Sequence, residues 1–409
     1  MKKRYMICFL MCIILMISLQ SSISAEEEMS PAVTTNWIEG WPQGPDVSSA
    51  AAVLLNSSTD TVLYAKNQDA LLDPGSTVKI LTVLLALENS SLTDEVTMTQ
   101  TGVGGVTEGG INLSSQLGEV FTMEQCLYAI LLYSANDLAL QVAEQIGQSV
   151  EGFVAMMNAR AASLGCSNSV FTNPTGLEDP AQHSTARDMA LIMQAAIQNQ
   201  DFCRIAKTAS YTIPATNVSG GSRVLTNTLA LSNTTSPYYY SDCIGGKEGY
   251  TETSGNTLLC AARKDDMTLV VSLLSEVYGQ IDQDAIDLFN YGFDEFYLLD
   301  LGNDDFEIAS GGEVILPYSA NASSLIAQDY ASGKSTIRTY SYNGINVGQA
   351  KIKRIVETDT EAIARGEENM KAAYAFSASK STVPYYLIGG VALFLIILLL
   401  VYVFKVVKG

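Results

Sequence analysis

The stretch Asp73-Pro74-Gly75-Ser76-Thr77-Val78-Lys79-Ile80-Leu81-Thr82 decides how the chain is read. Pro74 and Gly75 are turn residues, and Ser76 stands where a helix N-cap is expected. Val83-Leu84-Leu85-Ala86-Leu87-Glu88 then continues as a helix. Ser76 and Lys79 are three residues apart, so both side chains lie on one face of the first turn. An alcohol held beside an amine is a nucleophile with a base within reach. Taken alone, the same residues also fit a capped helix whose lysine snorkels, and Ser377 and Lys380 repeat the spacing elsewhere. The surrounding chain has to decide.

Upstream, residues 50–55 and 61–65 are strand-like with Asn56-Ser57-Ser58-Thr59-Asp60 as a turn, a hairpin feeding the helix. Residues 95–98 form a short strand. Residues 102–110 are rich in glycine but lack the Lys-Ser/Thr ending of a phosphate loop, and read as a flexible surface segment. Thr122 is placed to cap a helix carrying Leu127, Ile130 and Leu131. That helix stops at Tyr133-Ser134-Ala135-Asn136-Asp137, and another begins at Leu138. The break puts Ser134 and Asn136 on a short loop between two buried helices, with their polar groups toward a cavity. Further helices are expected over 153–164, after a Ser184 or Thr185 cap, and over 285–297; Asn173-Pro174-Thr175-Gly176 is a turn between the first two. Strands are expected over 210–214, 244–251, 257–262 and 267–274. After Asp300 short alternating strands, 313–317, 336–340 and 347–352, read as a small all-β module.

The two ends differ from the middle. Lys2-Lys3-Arg4, an apolar run and Ile23-Ser24-Ala25 read as a signal peptide over residues 1–25, with an uncleaved anchor as the alternative. Residues 385–404 carry no charge, and a helix of that length spans about 30 Å, the thickness of a bilayer core. Lys405 and Lys408 follow, which orients the bulk of the chain outward. The chain has 43 acidic and 23 basic residues, and 18 of the basic ones lie between the two terminal segments, giving that part a net charge of about −25. Such a surface excludes a nucleic-acid partner and keeps the domain off anionic lipid. Cys126, Cys166, Cys203, Cys243 and Cys260 remain after the signal, widely spaced and without a Cys-x-x-Cys motif. They read as buried small hydrophobes with at most a bridge or two. The single histidine, His183, argues against a zinc site, and no metal or cofactor is expected.

Ser76-x-x-Lys79, Ser134-x-Asn136 and Lys247-x-Gly249 stand in order: a helix start, a break between buried helices, and a strand entered through Gly245-Gly246. Ser254, Ser319 and Ser341 begin further serine-x-asparagine triplets, so order and context carry the signal. The combination resembles the low-molecular-mass penicillin-binding proteins, the serine D-alanyl-D-alanine carboxypeptidases. Asn173-Pro174-Thr175-Gly176-Leu177-Glu178-Asp179 and His183-Ser184-Thr185-Ala186-Arg187-Asp188-Met189-Ala190 also resemble that family, over roughly residues 40–297.

The resemblance implies an α/β penicillin-binding fold, an antiparallel sheet flanked by helices, over residues 36–297. A small β domain (300–357), a stalk (358–383) and a transmembrane helix (385–404) are expected to follow. It implies Ser76 as nucleophile, Lys79 as its base and Ser134 as proton relay. Asn136, Lys247, Glu248, Gly249 and Tyr250 are the expected substrate-binding positions, and the N–H groups of Ser76 and Tyr250 would form the oxyanion hole. The implied partners are a peptidoglycan stem peptide and β-lactams, with the catalytic domain outside the cell membrane. Lys79 is expected to lose its proton through burial, the positive helix end and Lys247. His183 reads as structural. One position departs from the family: Glu248 replaces a hydroxyl residue that helps hold the substrate carboxylate. Either it turns outward, pairs with Arg187 or Arg263, or marks another substrate or weak activity. The alternative functions are thus a catalytically weak penicillin-binding or peptidoglycan-sensing protein, and a related serine hydrolase.

Overall fold

The computed structural model describes residues 33–106, 110–276, 279–302, 307–332 and 335–353. The expected signal peptide, stalk and membrane helix lie outside these residues. Among the described residues no helix is long and apolar enough to cross a membrane.

The hairpin forms as β1 (Ala51–Asn56) and β2 (Thr61–Lys66). A 3-10 turn over Gly75–Val78 runs into helix α1 (Lys79–Asn89). Next come β3 (Glu95–Thr97), α2 (Gln100–Gly104), β4 (Val120–Thr122), α3 (Met123–Leu132), α4 (Asn136–Gly147) and α5 (Val150–Ser163). They are followed by α6 (Ala186–Ala196), α7 (Gln200–Lys207), β5 (Ser210–Ile213) and β6 (Arg223–Thr226). The long strands β7 (Cys243–Thr251), β8 (Gly255–Lys264) and β9 (Met267–Glu276) precede helix α8 (Ile281–Glu295). Five strands close the described chain: β10 (Phe296–Asp300), β11 (Ile308–Pro317), β12 (Ile326–Ser332), β13 (Ser335–Tyr342) and β14 (Ile345–Ile352).

The main sheet has the order β2-β1-β9-β8-β7, antiparallel throughout. Every residue of β1 is buried because both faces are covered. Ala51, Val53 and Leu55 enter a helical core with α1, α3, α4 and α6, while Ala52 and Leu54 enter a second core on the opposite face. Leu288 and Phe289 of α8 fill that second core together with Trp41 and with Phe296, Val314 and Tyr342 of the β10-β11-β14-β13-β12 sheet. The antiparallel sheet flanked by helices is therefore present, with a second all-β sheet against its other face.

Helix α1 is buried from Lys79 through Ala86, apolar all round apart from Lys79 and Thr82, as a central helix must be. Thr122 forms the full capping box with Gln125, and Thr185 rather than Ser184 caps α6 by accepting from the Asp188 N–H. Two local readings are corrected. The start of the glycine-rich segment is helical, with Gly102 buried against Met98 and Gln141, where a larger residue would not fit. The helix expected over 285–297 starts at Ile281 and ends at Glu295, so Phe296 and Tyr297 already belong to the second sheet. The five cysteines carry free thiols, all buried except half-buried Cys203.

Phe289, on α8, is fully buried in the second core. Phe289→Ala is expected to cost about 3–5 kcal/mol, because the cavity adds to the lost transfer energy. Urea unfolding followed by circular dichroism measures it, and a loss under about 1 kcal/mol would show a site able to collapse.

Candidate active site

Ser76 does not cap α1. It lies inside the 3-10 turn, and the helix begins at Lys79 with Val78 at the cap position, where no side chain caps the helix. The Asp73 carboxylate accepts from the Gly75 N–H at 2.9 Å and fixes the entry to the turn. The turn brings Ser76 Oγ within 3.1 Å of Lys79 Nζ. The tighter turn thus serves the pairing that a helical first turn was expected to give.

Lys79 is fully buried. Its amine also donates to the Thr175 carbonyl. Burial holds the Lys79 amine well below the ordinary lysine value, and the positive charge of Lys247 lowers it further. The Thr175 contact was not foreseen, although its segment was singled out as a turn. Asn173 Oδ1 accepts from the N–H groups of Thr175 and Gly176 at 3.1 and 2.8 Å, and Thr82 Oγ1 donates to the Pro174 carbonyl at 2.7 Å. Gly176 is required there: its φ is +76°, and a Cβ would sit 1.9 Å from the Gly75 carbonyl oxygen. The Asn-Pro-Thr-Gly pattern announces the turn, whereas the carbonyl that serves Lys79 belongs to the backbone and has no sequence signature.

Ser134 arrives from the break between α3 and α4. Its φ is +63°, a left-handed conformation that costs a non-glycine residue about 1 kcal/mol. The Ala135 N–H closes the turn on the Ala129 carbonyl at 3.1 Å. Ser134 Oγ reaches Ser76 Oγ at 3.3 Å. Asn136 is buried, donates its N–H to the Ile111 carbonyl at 2.9 Å, and leaves its Oδ1 buried with no partner among the described residues. Such an acceptor is uncommon in a folded interior and suits a ligand N–H. Asp137 accepts from the N–H groups of Leu113 and Ser115 at 3.0 and 3.2 Å, tying residues 111–115 beside Asn136. Its part in the site was also unforeseen.

The third wall is β7. Gly249 packs directly on Ser76: a Cβ there would lie 2.7 Å from the Ser76 nitrogen. Lys247 is buried, pairs across to Leu259 of the helical core, and shares the Gly249 face of the strand. Burial brings its amine down to about 8, against a raising influence of Glu248. Tyr250 is exposed and continues the strand opposite Asn256. The arrangement therefore converges Ser76, Lys79, Ser134, Lys247 and Gly249, with Asn136 on the neighbouring helix start.

Glu248 takes the other face. It pairs with Leu258, whose side chain is in the second core. Burial raises its carboxyl, while Lys247 and the Thr228 hydroxyl partly oppose that. Its charge in turn helps raise Asp282, after burial, to about 6. Among the described residues it forms no ion pair with Arg187 or Arg263. His183 belongs to a bridge with Val170, with ring Nδ1 3.0 Å from the Ala181 carbonyl, in keeping with a structural part. No group of three or more metal-ligating side chains occurs among the described residues.

Residues 39–276 match the family model described as Peptidase S11, D-alanyl-D-alanine carboxypeptidase. The D-alanyl-D-alanine carboxypeptidase DacB2 of Mycobacterium tuberculosis is 32% identical over 262 residues, which is 61% of this chain and 84% of that protein. DacC of Escherichia coli is 26% identical over 354 residues, 84% of this chain and 78% of that one. The crystal structure of the Streptomyces K15 DD-transpeptidase superposes with a TM-score of 0.57 at 29% identity, covering 62% of this chain and 100% of that one.

The coupling between the two buried amines is directly measurable. Lys247→Met removes a like charge and is expected to raise the Lys79 pKa, followed through the lysine Cε signals in 13C-labelled protein. An unchanged Lys79 titration would place the two amines outside each other's field.

Proposed function

From a chain that belongs to the D-alanyl-D-alanine carboxypeptidase family Peptidase S11, we propose that Ser76 carries the acyl group. The protein is a serine-type peptidase that removes the terminal D-alanine of peptidoglycan stem peptides. The observation that carries the assignment is the Ser76 hydroxyl set between Lys79 Nζ at 3.1 Å and Ser134 Oγ at 3.3 Å.

In this reading the neutral Lys79 amine takes the Ser76 proton as Oγ attacks the carbonyl of the penultimate D-alanine. The N–H groups of Ser76 and Tyr250 receive the developing oxyanion, and the Asn136 amide holds the substrate backbone. Ser134 passes the proton from Lys79 to the departing amine as the C–N bond breaks. Water then hydrolyses the ester and frees the serine. A β-lactam is attacked in the same way, but its leaving group stays tethered. Lys247, protonated, attracts the terminal carboxylate. Attachment through residues 385–404 with the catalytic part outside the membrane belongs to the same proposal, supported by the apolar run and by Lys405 and Lys408 behind it.

The weaker-enzyme alternative rested on Glu248 opposing the substrate carboxylate. Its register on the far face of β7 removes that argument. Glu248 acts on the site through the charge it lends to Lys247.

Fluorescent penicillin is expected to label the protein stoichiometrically, with labelling lost in Ser76→Ala. A folded protein that takes up no label would overturn the nucleophile assignment. D-Alanine release from a diacetylated tripeptide ending in D-Ala-D-Ala tests the reaction itself. The acylation rate should rise with pH as Lys79 loses its proton and fall through about 8 as Lys247 loses its own. Glu248→Gln removes the charge that raises Lys247, so its alkaline limb should shift to lower pH. An alkaline limb that does not move would show that Glu248 is uncoupled from the site.

A further inference from the structure

Behind the catalytic wall lies a pair of thiols that the reaction does not use. Cys243 and Cys260 sit on adjacent strands β7 and β8, on the face turned toward the second core. Cys243 is registered opposite Ala262, two residues from Cys260, and the ladder shifts register between Cys243 and Gly245. The two sulfurs are 3.5 Å apart. Ser232 Oγ lies 3.4 Å from the Cys243 sulfur. Cys166 and Cys203 donate to the carbonyls of Asp188 and Ile197, each at 3.4 Å, while Cys260, besides facing Cys243, reaches the Ala261 carbonyl at 3.8 Å.

We propose that Cys243 and Cys260 form a reversible dithiol–disulfide couple, a covalent clamp between the strand that carries Lys247 and its neighbour. The sulfurs must close from contact to a bond of about 2.05 Å, which side-chain rotation and a small shift at the register break supply. The two thiols differ chemically. The contact with Cys260 draws Cys243 below the ordinary thiol value, helped by Ser232, the Gly245 N–H and the charge of Lys207. Burial pushes Cys260 the other way. Cys243 lies on the edge strand β7 at the register break and Cys260 on the interior strand β8, so Cys243 meets the reagent first and is the attacking sulfur, with Cys260 the resolving one.

The oxidant is a small-molecule disulfide such as oxidised glutathione. The Cys243 thiolate attacks one of its sulfurs, the glutathione S–S bond breaks, and one glutathione leaves as a thiol. Cys260 then gives up its proton, displaces the second glutathione and completes the protein bond. Two protein thiols are oxidised and one disulfide is reduced to two thiols. Both cysteines are buried, so the reagent enters when the edge strand β7 opens locally. The strand is predisposed to this by Gly245 and Gly246 directly after the cysteine bulge.

The test does not depend on the peptidase reading. The full chain, folded, is equilibrated with oxidised glutathione, then denatured, alkylated and digested with trypsin without reduction. The expected result is one cross-linked species joining the Cys243 and Cys260 peptides, split by reductant, with Cys126 and Cys166 alkylated. Cys260→Ser should halt the reaction at a glutathione adduct on Cys243. Alkylation of both Cys243 and Cys260 in the native chain after oxidation would overturn the proposal, as would a stable glutathione adduct on native Cys243. The same holds if Cys260→Ser leaves Cys243 unmodified, since the attack order would then be wrong.

Discussion

The burial of one amine organises this molecule. Lys79 opens a helix that is buried through Ala86 and apolar there apart from Lys79 and Thr82, and none of the lysine's surface reaches water. An ammonium cannot be held there cheaply, so the group moves toward its neutral form. The same packing that makes α1 the centre of the helical core thus creates the base. Among the described residues, what remains polar about the amine is satisfied by Ser76 Oγ and the Thr175 carbonyl. Both depend on turns that glycine permits, and those turns set how far apart nucleophile and base can be.

Much of this was legible in the order of residues. The β1–β2 hairpin, the caps at Thr122 and Thr185 and the interruption after Leu132 all follow from local chemistry, which acts at the scale of a few neighbours. The convergence of Ser76, Lys79, Ser134 and Lys247 was legible only because three weak patterns occur in one order and in fitting contexts. What escaped has physical reasons. The 3-10 turn at Ser76 and a helical first turn differ by one hydrogen bond, and serine suits either. The Thr175 carbonyl is backbone, present at every position. Residues 326–332 are exposed along their whole length, so β12 has no alternation to read. Phe296 and Tyr297 continue the apolar phase of α8, and only the pairing with β11 claims them for a strand.

Glu248 shows how much a single register decides. As one letter in a motif it sets a negative charge where a carboxylate should bind. On the strand it occupies the face opposite Gly249 and Lys247, within the field of Asp282 and beside Thr228. Alternation with period two converts an apparent clash into support, because a carboxylate behind Lys247 favours the protonated amine. The irregularity that precedes it, between Cys243 and Gly245, resets the phase of the strand before the functional residues begin.

The second core has a consequence for how the protein melts. Trp41, from the lead-in before β1, packs on Phe296 with ring centroids 5.1 Å apart and on Tyr342 at 6.3 Å. The far face of the main sheet, α8 and the second sheet thereby share one apolar interior rather than meeting across a wetted seam. Parts that bury the same side chains gain and lose order together. The two sheets are therefore expected to unfold as one cooperative entity, in a single transition under heat or denaturant, with the second sheet part of the fold that keeps β7 in place.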